Sequence, residues 1–272
     1  MGQPLTKESV PLRTGPPTKD ELMVHYPAKF TWEQLKIFVN SGDLGTLKRD
    51  RALQKRYDEW AEGIKAQYGS MVSYLVNHRL RWGQLDTMSL LKSSLDFSRF
   101  ISGEQCATPS TEAGIEPHLD PPYFSIKTPS KYISLIQNDW PYSVPPEIEH
   151  SLIWTKLPIY HPLLVAGSIE ARVGQDGLCG FTGVEGPPEM PEDIASCLGA
   201  LSEWGVTPET LIRSSPPTAE EVALLQKAAT PVHEYVKTVW VEDEWETAWF
   251  VNPPRLQSVP GLAHIHVFAK RK

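Results

Sequence analysis

No stretch of this 272-residue chain comes near eighteen apolar residues in a row, so the sequence encodes no membrane-spanning helix. Cysteine is scarce. Cys106, Cys179 and Cys197 are odd in number and show neither a CxxC pair nor metal-ligand spacing. That excludes a disulfide framework and points to free thiols in a reducing, cytoplasmic setting. The first six residues, Met1-Gly2-Gln3-Pro4-Leu5-Thr6, lack the apolar run of a secretory signal. Gly2 and Thr6 loosely fit a myristoylation pattern, but Pro4 and the missing basic patch count against it. There is no Gly-x-Ser-x-Gly elbow, hence no support for Ser-His-Asp catalysis. Gly174, Gly177, Gly180 and Gly183 recur at threes but follow no clear strand, so they are not read as a phosphate cradle. No internal repeat is present.

Aromatic residues, by contrast, are plentiful, with nine tryptophans. Hydrophobic residues make up 40% and charged residues 22%, an ordinary globular balance with length enough for a substantial core. The net charge of −7 argues against general nucleic-acid binding. It is unevenly spread. From Pro27 to Trp82, ten Lys/Arg face six Asp/Glu, and the balance of −11 falls on residues 83–272. A basic helical part on an acidic body suits a polyanion on one side and a cationic substrate on the other. The plainer alternative is a solvated amphipathic helix pair.

Residues 1–26 are polar and proline-punctuated at the start, and are expected as a disordered arm. Residues 27–272 are expected as one α+β catalytic domain. Its N-terminal helices pack on a mainly antiparallel sheet, with loop insertions, of which 102–131 is flexible. Thr31 and Gln34 form a capping box that opens a helix; Leu44 to Tyr68 and Ser70 to Leu80 continue the helical part. Strands are expected at 132–136 and 149–157, helices at 191–204 and 218–229. Strands follow at 232–241, 245–251 and 263–268, the first two joined as a hairpin through 242–244.

Three constellations carry chemistry. Glu242, Asp243 and Glu246 form an Asp-Asp-x-x-Glu-like run beside Trp240, Trp245 and Trp249. On a helix, positions i, i+1 and i+4 share a face and bind Mg²⁺ and diphosphate, but the flanking residues are strand formers. The run can instead hold a guanidinium, which carboxylates grip bidentately and aromatic faces stack upon. It can also be a hairpin tip of solvated acids. His264 and His266 share one strand face and suit acid–base work, phosphate contact or plain hydrogen bonding. No third metal ligand has clear spacing, although the fold can bring His150 or His161 near; no metal and no cofactor are expected. Asp139 and Trp140 sit in Asn138-Asp139-Trp140-Pro141-Tyr142, where Asp139 is an acid, a guanidinium partner or a turn former.

Three blocks resemble a known family: Phe30-Thr31-Trp32-Glu33-Gln34-Leu35 through Tyr68-Gly69-Ser70; Asn138 to Tyr142 with His150 and Ile153-Trp154-Thr155-Lys156; and Trp245 to Pro254 with Leu256 to Pro260 and His264 to Phe268. Together they resemble the fungal N-acetylglucosamine-induced-protein-like family. That group includes the arginine-containing cyclodipeptide synthases, which condense arginyl-tRNA with a second aminoacyl-tRNA into a diketopiperazine. The resemblance implies Glu242, Asp243 and Glu246 as catalytic residues, with Glu in place of the first Asp. It implies Asp139, Trp140, Trp245, Asn252, His264 and His266 around the substrate, and the two charged tRNAs as partners. Two other readings stand beside it. One is a non-catalytic, sugar-induced regulator; the other is a hydrolase or transferase that works on a nucleotide or sugar through the paired histidines.

Overall fold

The computed structural model describes residues 4–95, 120–185, 194–212, 214–257, 259 and 262–272. Five strands form one antiparallel sheet in the order β1-β2-β5-β4-β3: β1 Ile133–Gln137, β2 Ile148–Thr155, β3 Leu178–Thr182, β4 Trp245–Val251 and β5 Ala263–Arg271. Helices cover both faces, as the α+β reading requires. Among the described residues these are α1 Lys19–His25, α2 Trp32–Ser41, α3 Arg51–Tyr68, α4 Met71–Tyr74, α5 Glu170–Asp176 and α6 Ala219–Val239.

Strand alternation divides the sheet into two interiors. One face carries Leu135, Ile153, Trp249, Val251, Ile265, Val267 and Ala269, and α6 lies on it through Ala228, Val232, Tyr235, Val236 and Val239. The other face carries Ile148, Ala248, Phe250 and Phe268 beneath Phe30, Trp32, Leu35, Phe38 and Val39 of the α2 region. Further along that face, Ile136, Leu152 and Trp154 pack against Leu75 and Leu80 at the end of the helical part. Full burial of each large side chain contributes about 1.5–3 kcal/mol, so these two interiors fix the layer order.

Three expectations change. Residues 232–241 continue a helix rather than forming a strand, so no hairpin leads into β4. Val232, Tyr235, Val236 and Val239 are buried at helical spacing, and that packing outweighs both the β-branched side chains and Pro231 inside the helix. Residues 19–25, assigned to a disordered arm, form α1 under a Thr18 capping box. The fully buried Glu21 accepts from the Arg13 N–H at 2.7 Å and pairs with Arg56 at 3.0 Å, which seats the arm on α3. Residues 178–182, in the glycine-punctuated stretch where the sequence shows no clear strand, are the edge strand β3. Most of the 102–131 insertion lies outside the described residues.

Candidate functional site

The acidic run occupies the tight connection between α6 and β4. The Val241 carbonyl accepts the N–H groups of Glu244 and Trp245, both at 3.0 Å, which closes the turn. Its carboxylates part company. Glu242 accepts the Gly183 N–H at 3.2 Å and pairs with Lys237 at 3.1 Å, and both contacts hold its carboxyl below the ordinary value. It braces the end of β3 against the last turn of α6. Asp243 is exposed and has no cation partner among the described residues. Glu246, one residue into β4, projects to the α2 face, where it accepts the Trp32 indole N–H at 2.7 Å. Trp245 points to the opposite interior, with the Arg271 guanidinium 6.0 Å from its ring centre. The i, i+1, i+4 spacing converges on a helix; across a turn and a strand start it does not.

The histidines form a buried polar chain on the α2 face of the sheet. The Tyr142 backbone N–H donates to His150 Nδ1 at 3.3 Å. That leaves the proton on His150 Nε2, which lies 3.0 Å from His266 Nδ1. His266 Nε2 then meets the Asn252 side-chain amide at 3.3 Å. The His266 ring is stacked between Phe250, at 4.5 Å, and Tyr142, at 5.7 Å. His264 stacks on Trp154 at 4.3 Å. Burial is the main cause that pushes all three imidazoles down, His264 to about 4, so the cluster is neutral at physiological pH. Both ring nitrogens of His150 and of His266 are engaged within the chain, which makes the pair a scaffold that joins β2, β5, the end of β4 and the 138–142 turn.

Asp139 holds a guanidinium, and it is the chain's own. Arg79, 2% exposed, donates through Nε to Asp139 at 2.6 Å and through a second nitrogen at 3.0 Å. It grips Asp86 bidentately, both bonds at 2.9 Å. Trp140 is buried between Tyr57 and Trp60, with ring centres at 5.3 and 5.1 Å, and its carbonyl accepts from Arg49 Nε at 2.7 Å. Internal pairing thus consumes much of the basic segment: Arg56 goes to Glu21, Lys29 to Glu203 and Asp50, Lys36 to Glu33, and Arg79 to two aspartates. Sequence reasoning missed Arg79 and Asp86. Arg79 sits in a run that reads as a solvated helix, and nothing local tells that it turns inward.

Two cavities lie away from the acidic turn. One of about 510 Å³ borders the 137–150 connection and α1, with Tyr142, Ser143 and His150 in its wall. The other, about 850 Å³, opens between β3 and α6. Neither is lined by Glu242, Asp243 or Glu246. Among the described residues no group of three His, Cys, Asp or Glu is arranged to hold a metal ion, and no helix is long and apolar enough to cross a membrane.

The family described as "Protein of unknown function (DUF3605)" matches residues 31–168 and 212–270. The chain belongs to this family. The chain is also similar to the N-acetylglucosamine-induced protein 1 of Candida albicans, 25% identical over 244 residues that cover 89% of this chain and 68% of that protein. An uncharacterized protein of Saccharomyces cerevisiae is 27% identical over 133 residues, 48% of this chain and half of that protein. The solved structure of HTC1 aligns with 88% of this chain and 84% of its own at 22% identity, with a TM-score of 0.36. The DUF3605 match contains the acidic turn, all three buried histidines, Asn252 and the Arg79 cluster. It breaks off over 169–211, the segment that supplies α5 and β3.

Proposed function

We propose that the acidic turn receives a guanidinium-bearing acyl group, and that the chain is an arginyl-tRNA-dependent cyclodipeptide synthase. The observation that carries the reading is the pair Asp243 and Glu246. Asp243 stands exposed without a cation partner among the described residues, and Glu246 accepts from the Trp32 indole. A carboxylate beside an indole, with a second carboxylate free on the adjacent turn, suits a planar cation better than an ammonium. In this reading the attacking α-amine of the second aminoacyl group loses its proton to a carboxylate of the turn, and the tRNA 3′ oxygen leaves as each ester is consumed. Each ester is already activated, so the condensation itself needs no ATP. The buried histidines lie toward the other end of β4, with His266 opposite Phe250 and bonded to Asn252, so this reading rests on Asp243 and Glu246.

The test is expression in a heterologous host, whose charged tRNAs supply both substrates, followed by mass spectrometry of the extract. A new cyclo-arginyl-Xaa ion, absent with Asp243→Asn and with Glu246→Gln, supports the synthase. Folded, soluble protein that yields no diketopiperazine overturns it. One observation favours a second reading, a binding protein without chemistry: Glu242, Asp243 and Glu246 have separate surroundings and do not converge. That reading expects saturable binding of an arginine-rich peptide, lost with Asp243→Asn, and no product.

A further inference from the structure

The two edges of the sheet are treated differently. At β1 the 80–83 segment closes in, and the Gly83 N–H donates to the Ile133 carbonyl at 2.8 Å. At β3 the sheet pairs with β4 on one side only. Among the described residues no backbone or side-chain group bonds the outer side of Cys179, Gly180 or Phe181. In an antiparallel pair, alternate residues turn both N–H and C=O away from the neighbouring strand. Such an edge is a template for one more strand, and proteins usually blunt it with proline or charge. Leu178-Cys179-Gly180-Phe181-Thr182 has neither, and its three central residues are only half-buried.

The 850 Å³ cavity follows this edge. Cys179 and Phe181 belong to the α2 face of the sheet and Leu178 to the α6 face, yet all three line the same space, which therefore passes around the edge. Asn40 to Gly42, at the end of α2, flank one side. Val222, Leu225 and Ala229 of α6 flank the other, at the i, i+3, i+7 spacing of an apolar helical stripe. The charges in the lining are already met. Arg172 pairs with Asp176 at 3.6 Å, and with Glu221 at 3.4 Å.

We infer that β3 accepts a sixth strand: a short, uncharged, extended peptide segment of a partner protein, with apolar side chains turned toward α6. Main-chain hydrogen bonds to the edge supply the affinity, and the apolar stripe supplies the preference. A charged side chain in the segment would find no free counter-charge in the lining. A segment that matches β3 is about 17 Å long. The flanks decide between a free segment and a second copy of this chain. A single extended chain, about 4.8 Å from β3, enters between α2 and α6, whereas a second sheet brings its own covering helices against them. β3 lies in 169–211, where the DUF3605 match breaks off, so the edge belongs to this chain's own elaboration of the fold. The inference does not rest on the reading of the acidic turn.

The test pans a phage-displayed library of random twelve-residue peptides on the full-length protein, then titrates the enriched peptides by fluorescence anisotropy. Enrichment of sequences with alternating apolar residues and saturable one-to-one binding are expected. N-methylation of one alternating set of peptide amides weakens binding about tenfold or more, and of the other set about twofold or less, because only one set faces β3. Binding slows hydrogen exchange across 178–182. Val222→Arg, at an exposed position in the flank, weakens binding about three- to tenfold. Circular dichroism and thermal melting establish that this variant is folded, and Thr230→Arg serves if it is not. No enrichment overturns the inference. So does equal sensitivity to the two methylated sets, exchange unchanged across 178–182, or binding unchanged in the folded flank variant. A dimer in solution that itself protects 178–182 also overturns it, because a second copy then takes the edge.

Discussion

Mild acid is expected to destabilise this protein, and the buried histidines set the scale. His150, His264 and His266 are 3–5% exposed, and burial depresses all three below the ordinary imidazole value near 6.5. In the unfolded chain each takes up a proton as pH falls through about 6.5, whereas the folded chain refuses it until about 4 at His264 and until well below the ordinary value at His150 and His266. The unfolded state therefore binds more protons, and stability rises with pH across that window and is lost as pH falls. From pH 7.5 to 5.5 one fully suppressed histidine contributes a loss of about 1.4 kcal/mol, and three together about 4 kcal/mol. Against a usual total of about 5–15 kcal/mol that is a large fraction. His233, less buried, shifts in the same direction and adds to the slope. The assay is urea denaturation at half-unit steps from pH 7.5 to 5.5, above the range where ordinary carboxylates titrate. His264→Phe keeps the stack on Trp154 and removes one proton site, so the slope falls by about a third. A free energy flat to within about 1 kcal/mol over the window, or an unchanged slope in His264→Phe, refutes the reasoning.

Arg79→Ala strands Asp86 and Asp139 with no counter-charge in a largely buried site, and a cost of about 3–5 kcal/mol is expected from urea titration. Adding Asp86→Asn and Asp139→Asn recovers part of it; no recovery would mean the loss came from packing instead. Gly183→Ala is expected to cost more than about 1 kcal/mol, because φ is +68° and a Cβ would overlap the Trp245 carbonyl oxygen. Gly63→Ala, in mid-α3 with open space around it, is expected to stabilise by about 0.5–1 kcal/mol. Thermal melts of the two glycine variants should shift in opposite directions.

The elements that follow from local chemistry were legible. The Thr31–Gln34 and Thr218–Glu221 capping boxes sit where the sequence places them, and strands at 133–137, 148–155, 245–251 and 263–271 lie within a few residues of the expected ones. What failed was decided at a distance. Pro231 and a valine-rich sequence end a helix on local grounds, but four buried contacts on the sheet carry α6 through them to Val239. Gly180 weakens the strand signal of 178–182, and only the Trp249 ring that covers it gives the glycine a reason. Of the acidic run, Glu246 meets an aromatic residue, and that residue is Trp32 of α2 rather than one of the flanking tryptophans. The run's convergence depended on helical geometry that the turn does not supply.

The same long-range logic separates display from support among the candidate residues. His264 and His266 attract attention because imidazole chemistry is versatile, yet partners from β2 and the end of β4 occupy the His266 nitrogens, and the Trp154 ring covers His264. Asp139 attracts attention as a free acid, yet Arg79, sixty residues earlier, neutralises it. Both clusters lie in the interior, where an unmet polar group is costly, so each acquired partners and became structure. Asp243 lies on a solvated turn where an unpaired charge costs little, which is why it can remain uncommitted. The indole N–H groups of Trp82, Trp140, Trp154, Trp240 and Trp249 break this rule from the other side, as buried donors with no hydrogen-bond partner among the described residues.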